Sequence, residues 1–314
     1  MTPRDHMAER RFDALRHALG EAIGAALVEP LVMEILVNPD GRLLLDVAGS
    51  GRRDTGERLA PERRDRIIRL AADHAGETVS PERPRLSASL PGGERFQAFM
   101  PPVTAGPAFS IRKRAGAVIR LDDYAANGAM SSNQVALLKA AVETRRNILV
   151  SGGTGAGKTT LANALLAEPG FSHDRVFIIE DTPELQCVAA DRVEVLTRRP
   201  PHPVGVADLV RDALRMRPDR IVIGEMRDGA AALETLKAWN TGHPGGLSTL
   251  HANSAAEALD RLEDLLSEVM VASATRLIAR AVGCVVHLRR GPAGPIVEDI
   301  LDLTKATTPQ RLQL

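Results

Sequence analysis

With 314 residues, 44% apolar and 25% charged, the chain has the length of about two domains, each able to bury a core of its own. Forty basic residues balance forty acidic ones, so no net field draws the chain toward nucleic acid or an anionic membrane. One Trp, one Tyr and six Phe make a poor stacking platform for single strands.

No apolar run reaches the length of a membrane span, and the opening MTPRDHMAERRFDAL lacks the apolar core of a signal peptide, which predicts a cytoplasmic protein. Residues 1–114 read as one α+β domain. After a polar amphipathic helix, LVMEILV and RLLLDV flank Asn38-Pro39-Asp40-Gly41, a hairpin signal. A helix follows from Pro61, with Ile67, Leu70, Ala71 and His74 at i, i+3, i+4 and i+7 before Gly76; His74 reads as packed core. A second hairpin joins 85–90 to 95–100 across Pro91-Gly92-Gly93, and a turn-rich stretch leads to a strand ending in Arg112, Lys113 and Arg114, a solvated basic face. Residues 115–131 read as a linker, and a helix capped by Ser132 runs to about Thr144.

Residues 132–314 form the second domain. From Asn147 apolar strands alternate with helices, the pattern of a parallel sheet covered on both faces, hence α/β. Candidate strands span 148–151, 176–180, 193–196, 221–224 and 247–250. Helices are expected over 229–240, with Trp239 as packing, and over 254–270 and 273–282; a hairpin interrupted at Gly291-Pro292 closes the chain. Cys187 and Cys284 lie in apolar runs and read as buried, reduced thiols.

The strand-to-helix stretch NILVSGGTGAGKTTLANAL fits G-x-x-x-x-G-K-[ST] through Gly152, Gly157, Lys158 and Thr159. Glycines let the backbone turn tightly and aim N–H groups at phosphate oxygens, and the following helix adds its positive end. Gly152, Gly153, Thr154, Gly155, Ala156, Gly157, Lys158, Thr159 and Thr160 are therefore the expected triphosphate cradle, with Lys158 reaching the β and γ phosphates and Thr159 ligating Mg²⁺.

Ligand chemistry in such sheets gathers at the C-terminal strand ends. Three later strands end there in titratable groups. Glu180-Asp181 leaves the second strand; its carboxylates either meet a cation and a water or cap a turn. Ile221 to Glu225 resembles the second nucleotide motif, but Gly224 stands where an Asp commonly helps hold Mg²⁺. Magnesium would then rely on Thr159 with Glu180 or Asp181, leaving Glu225 to polarise the attacking water. His251, after Ser248 and Thr249 and before the capping box Ser254 to Glu257, reads as a γ-phosphate sensor rather than core packing.

The runs SGGTGAGKTT, IIEDTPEL and LRMRPDRIVIGEMRDGAAALETLKAWNTGHPGGLSTLHANS together resemble the traffic ATPases of type II and type IV secretion systems, and most of all their conjugal-transfer branch. The resemblance covers roughly 133–303 and is looser before that, where ERFQAFMPPVTAGPAFSIRKR still fits. It implies a RecA-like P-loop NTPase domain behind a smaller PAS-like α+β domain, assembled as a homohexameric ring. In that family Gly replaces the strand-end Asp, and Arg95 and Arg112 match arginines brought from the first domain to the nucleotide. Arg198, Arg199, Arg215 and Arg217 fall in an arginine-rich part that a ring would place near subunit boundaries. The function implied is a Mg²⁺-dependent ATPase that uses ATP to drive conjugal DNA transfer and pilus biogenesis, peripheral at the inner membrane and docked on its type IV secretion components. A pilus assembly or retraction motor and a nucleotide-gated scaffold with little turnover remain as alternatives. Direct sequence-specific nucleic-acid binding is not expected. Two distant cysteines cannot build the four-cysteine zinc module of the type II branch.

Overall fold

The computed structural model describes residues 3–47, 50–113, 118–198, 202–270, 274–291 and 294–303, with residues 3–11 as backbone only. The chain divides into two compact units, Met1–Gly116 and Ala117–Leu314.

In the first unit, α1 (Pro3–Val28) and α2 (Pro61–His74) accompany six strands: β1 (Val32–Val37), β2 (Arg42–Val47), β3 (Gly51–Arg58), β4 (Arg85–Ser89), β5 (Arg95–Phe99) and β6 (Ala108–Arg112). They form one sheet in the order β3-β2-β1-β6-β5-β4, every neighbouring pair antiparallel. Period-two alternation sends Ile35, Phe96 and Ile111 to one face, where they share a core with Ile23 of α1 and Ile67 and Ile68 of α2. Inside this unit Arg64 is buried and donates through Nη1 to the carbonyls of Asn38, Pro39 and Pro107, tying the first hairpin to the approach of β6.

One reading of this region changes and one strand is new. His74 is exposed at the last turn of α2, because the buried stripe runs through Arg64, Ile67, Ile68, Ala71 and Ala72 and turns away from it. The strand β3 carries no apolar signal: it is a polar edge strand, exposed along nearly its whole length, and only backbone pairing with β2 makes it a strand.

The second unit holds α3 (Leu121–Ala126), α4 (Ser132–Glu143), β7 (Ile148–Gly152), α5 (Lys158–Leu166), β8 (Val176–Glu180), β9 (Arg192–Leu196), α6 (Val206–Ala213), β10 (Arg220–Ile223), α7 (Gly229–Asn240), β11 (Leu247–Leu250), α8 (Ala255–Ser267), α9 (Thr275–Ala281), β12 (Cys284–Gly291) and β13 (Gly294–Asp302). Its sheet runs β13-β12-β7-β11-β10-β8-β9, parallel throughout except for the antiparallel edge strand β13. Every residue of β7, β8, β10 and β11 is buried, as central parallel strands require. Neighbouring residues serve opposite layers: Val150 packs with Leu138 of α4 and Leu161 of α5, and Leu149 with Leu236 of α7 and Leu262 of α8.

The stretch read as a linker differs from expectation. Within it α3 buries Leu121 and Tyr124 in the core of the second unit, so residues 121–131 pack as part of that unit. The cap of α4 is Ser131, one residue earlier than expected, in a reciprocal pair with Gln134. Helix α6, read as part of the arginine-rich connection, buries only Val210 and Ala213. Trp239 packs as expected and donates from its indole to the Ile221 carbonyl. Burial pushes the Cys284 thiol up to about 12, whereas Cys187, expected to be buried, is half-buried, and that partial burial raises its thiol too. Among the described residues no helix is long and apolar enough to cross a membrane.

At the base of the sheet Arg220 is buried and forms an ion pair from Nε to Asp174 Oδ2 at 2.5 Å, while its guanidinium lies 4.3 Å above the Phe171 ring. It also donates to the carbonyls of Val142 and Gly170, so α4, the 169–171 turn and β10 meet on one cation. Asp174 pairs with Arg145 as well. Removing one member of a buried pair leaves an uncompensated charge, so Asp174→Ala should cost about 3–5 kcal/mol in a urea unfolding titration.

Candidate functional site

The loop between β7 and α5 turns tightly on its glycines. Gly157 caps α5 with φ at +90°, and a Cβ there would meet the Pro295 ring at 2.4 Å. No side chain fits, so the turn keeps its amides at the positive end of a nine-residue helix. Lys158, the first residue of α5, is nearly buried and donates to the carbonyls of Gly152 and Gly153, each at 2.9 Å. The ammonium is thereby held over the mouth of the loop.

Parallel register brings three strand ends to this mouth. Leu250 pairs with Ser151, which places His251 beside the loop, and Ile223 pairs with Ser248, which places Glu225 beside His251. His251 stands between them, Nδ1 at 3.3 Å from Lys158 Nζ and Nε2 at 2.9 Å from Glu225 Oε1. Its neighbours assign the tautomer: an ammonium offers only protons, so Nδ1 accepts and Nε2–H donates to the carboxylate. Desolvation and the nearby Lys158 charge lower the His251 pKa, which keeps that neutral form at neutral pH.

Gly224 has a local reason. A Cβ there would lie 3.2 Å from Glu180 Cγ, tighter than ordinary packing, so glycine leaves the Glu180 side chain room beside β10. Glu180 is buried and its Oε1 accepts from the amides of Glu184 and Leu185 at 2.8 and 2.9 Å. Of the two roles open to it in the sequence, these bonds are those of a turn cap. The capped turn presents Glu184, whose Oε2 accepts from Thr159 Oγ1 at 3.3 Å. The carboxylate beside Thr159 is therefore that of Glu184, whereas Asp181 faces the other way. Its Oδ1 accepts from Thr197 Oγ1 at 2.7 Å and its Oδ2 pairs with Arg227 Nη1 at 2.9 Å. Arg227 also holds Glu225 Oε2 through Nε at 2.7 Å and Nη2 at 2.6 Å.

Motif reading placed Glu184 in the family box Glu180 to Glu184 without giving it a role, and passed over Arg227. Arg227 carried a usable signal, since it is a cation two positions from Glu225, close enough to pair with it. The contact of Glu184 with Thr159 carried none, because it depends on the turn that Glu180 caps. Hydroxyl and carboxylate oxygens at this point are hard ligands that suit Mg²⁺. Among the described residues no group of three His, Cys, Asp or Glu side chains could hold a metal by itself, so phosphate oxygens and water would have to complete any shell.

Of the arginines set apart in the sequence, Arg198, Arg215 and Arg217 are exposed in the second unit, and Arg199 lies outside the described residues. In the first unit Arg95 and Arg112 are direct cross-strand partners, which puts two cations on one face. Neither forms an ion pair with a described residue.

The model of the type II/IV secretion system protein family matches residues 61–292 of this chain. The chain belongs to that family. Among curated members, the probable conjugal transfer protein TrbB of Sinorhizobium fredii (strain NBRC 101917 / NGR234) is 44% identical over 294 residues, covering 93% of this chain and 89% of that protein. Conjugal transfer protein TrbB of Rhizobium radiobacter is 42% identical over 292 residues, covering 92% and 89%. Type IV secretion system protein VirB11 of Bartonella quintana (strain Toulouse) is 31% identical over 286 residues, covering 79% and 80%. In fold alone, the chain is similar to the pilus retraction motor PilT with bound ADP, at a TM-score of 0.64 and 19% identity over 89% of this chain and 82% of that one.

The lowered pKa of this family member's His251 makes a pH prediction. Because the unfolded imidazole binds its proton first, native stability should fall as pH drops through 6.5 toward the lower folded value, and recover above it. His251→Asn should lack that component, and melting curves of both proteins on either side of pH 6.5 would reveal the difference.

Proposed function

We propose that the chain is the ATP-hydrolysing motor of a conjugative type IV secretion apparatus. Its family and its conjugal-transfer relatives support the setting, and one observation carries the chemistry: Lys158, His251 and Glu225 stand in hydrogen-bonded sequence at the mouth of a glycine-rich loop. The RecA-like second unit binds the triphosphate on the amides of residues 152–160, and Lys158 leaves the loop carbonyls to neutralise the β and γ phosphates. Thr159 and Glu184 would hold Mg²⁺, which when bound offsets charge on the phosphoryl group being transferred. Glu225 accepts a proton from the attacking water as that water adds to the γ-phosphorus, and ADP leaves. His251 senses the γ-phosphate between the ammonium and the carboxylate.

A homohexamer places a cation from elsewhere at this centre. Arg95 and Arg112 of the PAS-like first unit form a paired cationic face suited to an anion, and the exposed Arg198, Arg215 and Arg217 suit a subunit boundary. The ring works from the cytoplasmic side of the inner membrane, against membrane components of the secretion apparatus.

Lys158→Ala should abolish phosphate release and ATP binding together. Glu225→Gln should keep ATP affinity while losing roughly 10²- to 10⁴-fold in turnover, the usual contribution of a positioned general base. Full phosphate release by either purified variant contradicts the assignment.

A further inference from the structure

The polar groups at the C-terminal edge of the second sheet follow one another in the spatial order of the strands. From the glycine-rich loop after β7 the bonds pass to His251 after β11, then to Glu225 and Arg227 after β10, to Asp181 after β8 and to Thr197 after β9. Arg227 is the member that spans two strand ends. Its planar fork gives Nε and Nη2 to one oxygen of Glu225 and Nη1 to Asp181, a geometry that the point charge of a lysine cannot reproduce.

The distribution of these bonds over the Glu225 carboxylate is uneven. Oε2 accepts twice from Arg227, which fills its two lone pairs. Oε1 accepts once, from His251 Nε2–H, and keeps one lone pair. Rotation about the last side-chain bond would exchange the two oxygens, and the guanidinium opposes it. Asp181 and Thr197 in turn oppose rotation of the guanidinium.

We infer that Arg227 is a positioning residue for hydrolysis: anchored by Asp181 and Thr197, it fixes Glu225 so that Oε1 is the oxygen that receives the water proton. The inference rests on the ATPase reading of the same site and adds a part that neither the phosphate loop nor the carboxylate motif contains. It gives Asp181 a place as an anchor for the fork, outside the metal shell.

The test uses the full chain with Mg²⁺ and ATP, with single-turnover hydrolysis measured per bound nucleotide so that misfolded protein does not count. Arg227→Gln should lower that rate by about 10- to 10²-fold, the scale of a misplaced catalytic group, and leave ATP affinity within about twofold. Asp181→Asn should give a smaller loss in the same sense and leave the Mg²⁺ concentration for half-maximal rate unchanged. In the Glu225→Gln background, Arg227→Gln should cost nothing further, because its effect passes through Glu225. A merely structural arginine would cost the same in both backgrounds, and that additivity overturns the inference. A shift of the Mg²⁺ midpoint in Asp181→Asn also overturns it, by moving Asp181 to the metal. If Arg227→Gln does not fold, Arg227→Lys carries the same comparison, with an intermediate loss expected and wild-type rate counting against the inference. Wild-type turnover by Glu225→Gln alone would instead remove the reading of the site, and the inference with it.

Discussion

The register between parallel strands is the constraint from which the site follows. Side chains alternate along a strand, so a slip of one residue between β11 and β7 would carry His251 away from the glycine-rich loop and exchange residues between the two packed layers. That register is held by burial. Each residue of the four central strands is covered, and packing on both faces penalises any displacement. The chemistry at the strand ends is thus positioned by apolar side chains that never touch it.

Burial also explains why the carboxylates at this edge are all partnered. A charge leaving a fully buried strand loses part of its hydration and needs a compensating bond. Glu180 finds backbone amides, Glu184 the Thr159 hydroxyl, Glu225 a guanidinium and an imidazole, and Asp181 the same guanidinium and a hydroxyl. Sharing one cation between Glu225 and Asp181 removes the repulsion that would arise if both faced the centre unpaired. The chain is neutral overall, so its electrostatics are local.

Gly224 and Glu180 meet where β10 and β8 end. With no Cβ on Gly224, the Glu180 side chain packs against it without crowding while it caps its own turn. The Thr159 hydroxyl then meets a carboxylate from the capped turn, and none comes from the end of β10.

The sequence by itself determined the α/β class, the strand-loop-helix phosphate motif, the Ser254 cap and the packing role of Trp239, because each depends on neighbours within a few residues or on a pattern of apolar side chains. The candidates Lys158, Glu225 and His251 also rested on local pattern: Lys158 on the glycine-rich motif, Glu225 on the apolar strand that it follows, and His251 on its place between two hydroxyl residues and a capping box. Only the tertiary structure decided that α3 packs in the second unit, that β3 is a strand at all, and that His74 faces solvent. It alone brought Glu184 to Thr159 and turned Asp181 toward Arg227. These outcomes depend on pairing between segments far apart in the chain, and a polar side chain takes its partner from whichever segment the apolar packing brings within reach.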